Sequence, residues 1–236
     1  MFYTLEEATY GFETAKQILG VGSNTMSKLI DLNLVAIRNT PSSVRNQQYA
    51  GWDIAYLASA RNRPLLIEDG QKALVCAMGR EKKHQVPSMY FDATWDAFQQ
   101  DLSKIAQNVN EQTWEAICSG ELRVTGYWAV KEEDANFLEE NHAIAVASYA
   151  GFILDGGRIQ SWVRNVFDEN GRRCFVVKPF DNKERFDYAH NYLVSRKGPM
   201  NRIWTAQELK NDWLQRIQEE VGLSETLGGE HSAKIG

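Results

Sequence analysis

Apolar side chains recur at Ala15, Ile18 and Leu19, stop at Gly20, and resume at Met26, Leu29 and Ile30. That i, i+3, i+4 spacing predicts two short helices, with Gly20 to Gly22 as the tight turn between them and Ser23 or Asn24 as the cap of the second. The second helix packs one face and leaves Asn24, Thr25, Ser27, Lys28 and Asp31 on the other. The stretch LNLVAIRN then alternates as a strand does, TPSSVRNQQ has the composition of an exposed loop, and YAGWDIAYLASA returns to helical spacing through Trp52, Ala55, Tyr56 and Ala60.

Pro64 breaks the chain, and LLIEDGQKALVCAMG reads as a turn and an apolar strand followed by the charged loop EKKHQVPS. In DATWDAFQQDLSKIAQNV, residues Trp95, Phe98, Leu102, Ile105 and Val109 hold helical register over four turns, with Asp92 as the expected cap. A second helix, NEQTWEAICSG, should end at Gly120. From there the period falls to two. LRVTGYWAV, AIAVASYAGFIL, RIQSWVRNVF and RCFVVKPF are expected strands, with hairpin turns at DGG (155–157) and DENG (168–171) and an acidic connector at Glu132 to Asp134. The strands after Asn141 should form an antiparallel meander. Five strands and two helices imply an α+β fold, a mainly antiparallel curled sheet or open barrel with helices on one side. TAQELKNDWLQRIQEEVGL opens on a Thr205/Glu208 capping box and carries Leu209, Trp213 and Ile217 along one face to a stop at Gly222. The organisation expected is 1–63, 64–204, a terminal helix at 205–222, and a polar, Gly-rich tail at 223–236 that is not expected to pack.

Two helices, a tight turn, a strand, a loop and a third helix are the order of parts in a winged helix-turn-helix, where short polar residues at the start of the second helix meet base edges. AKQILGVGSNTMSKLIDLNLVAIRN, followed by YAGWDIAYL, resembles the excisionase and MerR-like winged-helix family over the first quarter of the chain. One departure is that the first helix, within LEEATYGFETAKQ, looks a turn longer than is usual there. The resemblance implies double-stranded DNA as partner, with Ser23, Asn24, Thr25, Ser27 and Lys28 on the reading helix and Arg38, Arg45, Asn46 and Gln47 on the wing. A homodimer through the terminal helix is expected with such a domain. The alternative for this segment is a small helical module with a solvated polar face, and Arg38 alone could equally serve a surface ion pair.

Residues 64–204 resemble the PUA-like β-barrel group, which includes ASCH and EVE domains, through GYWAV, AIAVASYAGFILDGGRIQSWVRNVF and YLVSRKGPMNRIW. Domains of that group bind RNA or unusual bases in DNA, which makes Trp128, Trp162, Arg164 and Asn201 the pocket candidates. Both tryptophans read first as ordinary core aromatics. A second function class follows, a protein linked to defence or modification whose sheet reads a modified base or acts as a nuclease.

Net charge is −5, which excludes a protein that coats nucleic acid with its whole surface. Charge is uneven, however: residues 33–63 hold Arg38, Arg45, Arg61 and Arg63 against Asp53 alone. Cys76, Cys118 and Cys174 are too scattered for a disulfide framework or zinc site and read as reduced core thiols. There is no P-loop, no GxGxxG after a strand and no HExxH, so neither cofactor nor metal is implied, and no histidine pairs with a nucleophile. No run reaches the roughly 18 apolar residues of a membrane span, and the acidic N-terminus does not resemble a secretion signal, so the expected location is the cytoplasm.

Overall fold

The computed structural model describes residues 8–39, 46–77, 96–193 and 201–218. Arg45, the expected cap Asp92, Trp95, the side chain of Phe98, the stop at Gly222 and the 223–236 tail lie outside the described residues.

The chain enters through a short strand, β1 (Thr9–Gly11), and turns directly into α1 (Phe12–Leu19). The extra helical turn expected before Phe12 is therefore strand. Three residues later α2 (Ser23–Asp31) begins, capped by Gly22 and not by Ser23 or Asn24, which are its first two residues. The first bond of that helix runs from the Met26 N–H to the Gly22 carbonyl at 3.0 Å. Residues 36–38 return antiparallel to β2 (Gln48–Ala50), and Tyr49 bridges both Tyr10 of β1 and Ile37. The base of this hairpin is tied to α3 (Gly51–Arg61) by Asp53, whose Oδ2 accepts the Ala36 N–H at 2.8 Å.

Helix α3 buries Gly51, Ile54, Leu57 and Ala60 and leaves Trp52 and Tyr56 exposed, so its inner face is not the aromatic one expected. Both stripes have helical spacing. The aliphatic one is inside, packed with Ala15, Leu19, Met26 and Leu29, and Gly51 sits on that face where a Cβ would fall 2.6 Å from the Ala8 carbonyl oxygen.

An open six-stranded sheet forms the rest of the framework, in the order β4 (Arg123–Val124), β7 (Arg173–Pro179), β6 (Phe152–Phe167), β5 (Ile144–Tyr149), β3 (Lys72–Ala77) and β8 (Asn201–Thr205). Every pair is antiparallel except β3 with β5. The meander β5–β6–β7 and the turn at 168–171 agree with the pattern; the hairpin at 155–157 does not. Asp155 to Gly157 lie inside the 16-residue β6, and the real turn is Ala150–Gly151, both at positive φ. The two glycines are required by crowding. A Cβ at Gly156 would fall 2.5 Å from the Phe180 ring, and one at Gly157 2.3 Å from the Lys178 carbonyl oxygen.

Helices cover both faces of this sheet, not one. Along β3 and β5, Leu74, Cys76, Ala145 and Ala147 meet Ala135 and Leu138 of α6 (Glu132–Glu140), whose first turn is the acidic connector. The alternate residues Ala73, Val75, Ile144 and Val146 meet Leu209 of a terminal helix, α8 (206–218). Strands apolar on both sides need two covers. Three further helices are α4 (Asp96–Asn108), α5 (Glu111–Ser119), which ends at Gly120 in the left-handed conformation, and α7 (Asn182–Tyr188). Ile105 of α4 is buried with Val163, Val166 and Val176. Cys76 and Cys174 are buried, whereas Cys118 is exposed, against the expectation of three core thiols.

The Thr205/Glu208 capping box forms: the Thr205 N–H donates to Glu208 Oε2 at 2.8 Å and the Glu208 N–H to Thr205 Oγ1 at 3.2 Å. These bonds hold the Glu208 carboxyl below its usual pKa. The buried stripe of α8 is Ala206, Leu209, Asp212 and Arg216; Ile217 is exposed. Tyr149 and Phe152 of the sheet belong to the core made by α1, α2 and α3, so the N-terminal unit and the sheet share one cluster. Among the described residues no helix is long and apolar enough to cross a membrane.

Candidate nucleic-acid interface

The joint between α1 and α2 is Gly20, Val21 and Gly22. Gly20 is left-handed (φ 58°), and its N–H and that of Val21 return to the carbonyls of Gln17 and Lys16. The C-terminal end of α1 is thereby closed within itself. From α3, the Arg61 Nη1 donates to the Leu19 carbonyl at 2.6 Å, and the guanidinium lies so near Gly20 that a Cβ there would fall 1.4 Å from Nη1. Only glycine fits that position on both counts.

Beyond the joint, Met26 and Leu29 are fully buried against α1 and α3, which fixes the rotation of α2. Ser23, Asn24, Ser27 and Lys28 are exposed as a result, and Thr25 is half-buried. Ser23 Oγ accepts a long bond from Lys16 Nζ at 3.4 Å. On the hairpin, Arg38 and Asn46 are exposed and Gln47 is half-buried. Asn39, which the sequence pattern did not single out, ties the two sides of the hairpin together: its Oδ1 accepts the Gln48 N–H at 2.6 Å and its Nδ2 donates to the Asn46 carbonyl at 3.0 Å. An Asn next to a loop of turn composition was the available signal, since such residues stabilise turns through their own side chains. The Gln47 Oε1 is occupied by the Tyr49 hydroxyl at 2.8 Å.

Two of the four arginines in the basic stretch are used internally. Besides Arg61, Arg63 donates from Nη2 to the Phe186 carbonyl at 2.6 Å and lies 5.0 Å from the centre of that ring. Among the described residues of α2 and the basic stretch, the exposed cations are Lys28 and Arg38.

No family model, curated protein or solved structure matches this chain. What the surface can do follows from its own chemistry. Short side chains that donate and accept hydrogen bonds, on the first turn of a helix braced from behind, suit base edges in a groove. The N-terminal end of that helix also carries a partial positive charge suited to phosphate.

The second candidate set is divided. Trp162 and Arg164, on β6, share a cleft of about 200 Å³ with Asn110, Thr113, Glu139 and Ser161. Trp162 is buried, its Nε1 donates to Asn136 Oδ1 at 2.9 Å, and the guanidiniums of Arg164 and Arg173 lie 4.8 Å and 5.3 Å from its ring. A base stacking there would have to displace one of them. Arg164 makes a bidentate pair with Glu139 at 2.7 and 3.2 Å, and the hydrogen bond to that carboxylate raises its pKa. Trp128 is buried and bridges Arg173 through its backbone, and Asn201 pairs with Cys76 on β8, three strands from β6. Trp128 does not line the cleft. Among the described residues no three His, Cys, Asp or Glu side chains gather to hold a metal ion.

Proposed function

We propose that this chain is a sequence-specific DNA-binding protein, a transcriptional regulator of winged helix-turn-helix type, in which α2 enters the major groove. The observation that carries this reading is the division of α2 into a fully buried apolar face and an exposed first turn of Ser23, Asn24 and Ser27 with Lys28, beside the hairpin that presents Arg38 and Asn46. Lys28 and Arg38 supply phosphate contacts and fix register; Asn24, Thr25 and Ser27 supply discrimination. The sheet acts as sensor or assembly module. If α8 joins two copies, the positions open to a second chain are Leu214 and Ile217, because Leu209 is already spent within its own chain.

The test replaces Asn24, Thr25 and Ser27 with alanine in the full chain and compares the preferred site, found by genome-wide capture, with scrambled DNA at fixed salt. Each lost base contact should reduce discrimination by about 1–3 kcal/mol while nonspecific affinity stays close to the parent's. A triple variant that keeps the full specificity ratio would remove α2 as the reading element.

A further inference from the structure

Arg216 stands near the end of α8, almost two hundred positions along the chain from Leu19, yet two hydrogen bonds connect them through Arg61. It is 7% exposed, with its guanidinium 4.9 Å from the Tyr192 ring centre and 5.2 Å from that of Trp213. Its Nη1 donates to the Arg61 carbonyl at 2.6 Å. The side chain of that same Arg61 donates to the Leu19 carbonyl at 2.6 Å, where α1 gives way to the turn into α2. One residue is therefore held through its backbone by the terminal helix and itself holds the turn through its side chain. Chain beyond α3 is anchored alongside: the Tyr192 N–H donates to the Arg63 carbonyl at 2.8 Å, Pro64 bridges Tyr192, and Arg216 stacks on the Tyr192 ring.

The joint needs such a tie. It has three residues, two of them glycines with the widest conformational freedom of any residue, and α2 buries only Met26 and Leu29 completely. Base readout depends on where α2 sits to within fractions of an ångström, whereas phosphate attraction does not. Neither Arg61 nor Arg216 belongs to the exposed face of α2.

We infer that Arg216 and Arg61 are positioning residues for base readout, fixing the direction in which α2 leaves α1 and so coupling the C-terminal helix to the reading face. This rests on the DNA-binding reading proposed above. The physical coupling is measurable without DNA. In the full chain, R216M keeps an apolar stem against Tyr192 and Trp213 and removes the donors. It should raise hydrogen exchange by roughly tenfold at the Gly20 and Val21 amides, which donate to the Gln17 and Lys16 carbonyls, and leave the amides of 145–147 in β5 unchanged. On DNA, R216M and R61K should each reduce the ratio of preferred to scrambled binding by roughly tenfold at an unchanged salt slope. R216K, which keeps one cationic donor, should retain more of that ratio than R216M.

Unchanged exchange at the turn in R216M overturns the inference whatever DNA does. Raised exchange with a full specificity ratio in both R216M and R61K also overturns it, leaving a tie that only stabilises. Should the alanine variant of α2 lose preference while both arginine variants keep it, the DNA-binding reading stands and this inference falls. A parent chain with no sequence preference at all removes both.

Discussion

Two glycines two residues apart should respond in opposite directions to a small side chain. At Gly20 the backbone is left-handed, which costs a non-glycine residue roughly 1–2 kcal/mol. The new methyl would occupy the space of the Arg61 guanidinium, so the charged bond to the Leu19 carbonyl is lost at roughly 1.5–3 kcal/mol. Against this, alanine narrows the unfolded ensemble by about 0.4–1 kcal/mol. Gly20→Ala should therefore destabilise the chain by about 2–4 kcal/mol. At Gly22, φ is −75° and ψ 163°, and a Cβ would meet nothing within 4 Å. Serine there can cap α2, which lacks a side-chain cap, and Gly22→Ser should stabilise by about 0.5–1.5 kcal/mol. Urea midpoints at constant m-value measure both. A Gly20→Ala chain within about 0.5 kcal/mol of the parent would refute the placement of Arg61 against the turn.

His190 gives a pH dependence. Its Nδ1 meets the Tyr56 hydroxyl across the junction of α3 and the sheet, and burial lowers its pKa. The folded state then binds the proton less tightly than the unfolded one, so this contribution is complete above about pH 6.5 and is lost as pH falls below it. The parent should lose stability between about pH 7 and pH 5 relative to His190→Asn, which tolerates the positive φ at this position; equal losses in both chains would show that another group is responsible. The fragment 1–63 should unfold at a lower urea concentration than the same unit in the whole chain, because it lacks Tyr149 and Phe152 from its core and Arg216 from Arg61, as followed by exchange of the Leu29 amide. An equal midpoint would mean that the shared cluster contributes nothing.

Where one periodicity dominated, the fold was legible. Ala15, Leu19, Met26 and Leu29 are core positions, the meander after Asn141 forms, and Thr205 and Glu208 cap α8. Misreadings arose where two patterns competed or where a local signal had a nonlocal cause. Helix α3 carries an aromatic and an aliphatic stripe, and the choice is made by packing on α1 and α2, which lies outside the local pattern. DGG has turn composition, but its glycines answer to Phe180 and Lys178 on a neighbouring strand and beyond it. Strand β8 and helix α7 are short, and their support is tertiary, as when β8 gains its ladder by pairing with β3 across more than a hundred residues.

The limits were sharper at the site. A run of four arginines against one acid reads as a phosphate-binding surface, because sequence counts charge and not direction. Direction depends on carbonyls elsewhere: the end of α1 leaves the Leu19 oxygen unsatisfied, and Phe186 offers another. A guanidinium reaching a helix C-terminal end is favoured by the same partial negative charge that would repel phosphate. Arg61 and Arg63 thus brace the scaffold. If α2 reads DNA, the exposed cations of this unit among the described residues are Lys28 and Arg38, on a chain of net charge −5, and preference for one sequence then comes chiefly from the short polar side chains of α2. For that reason the geometry of the turn matters more here than the count of basic residues.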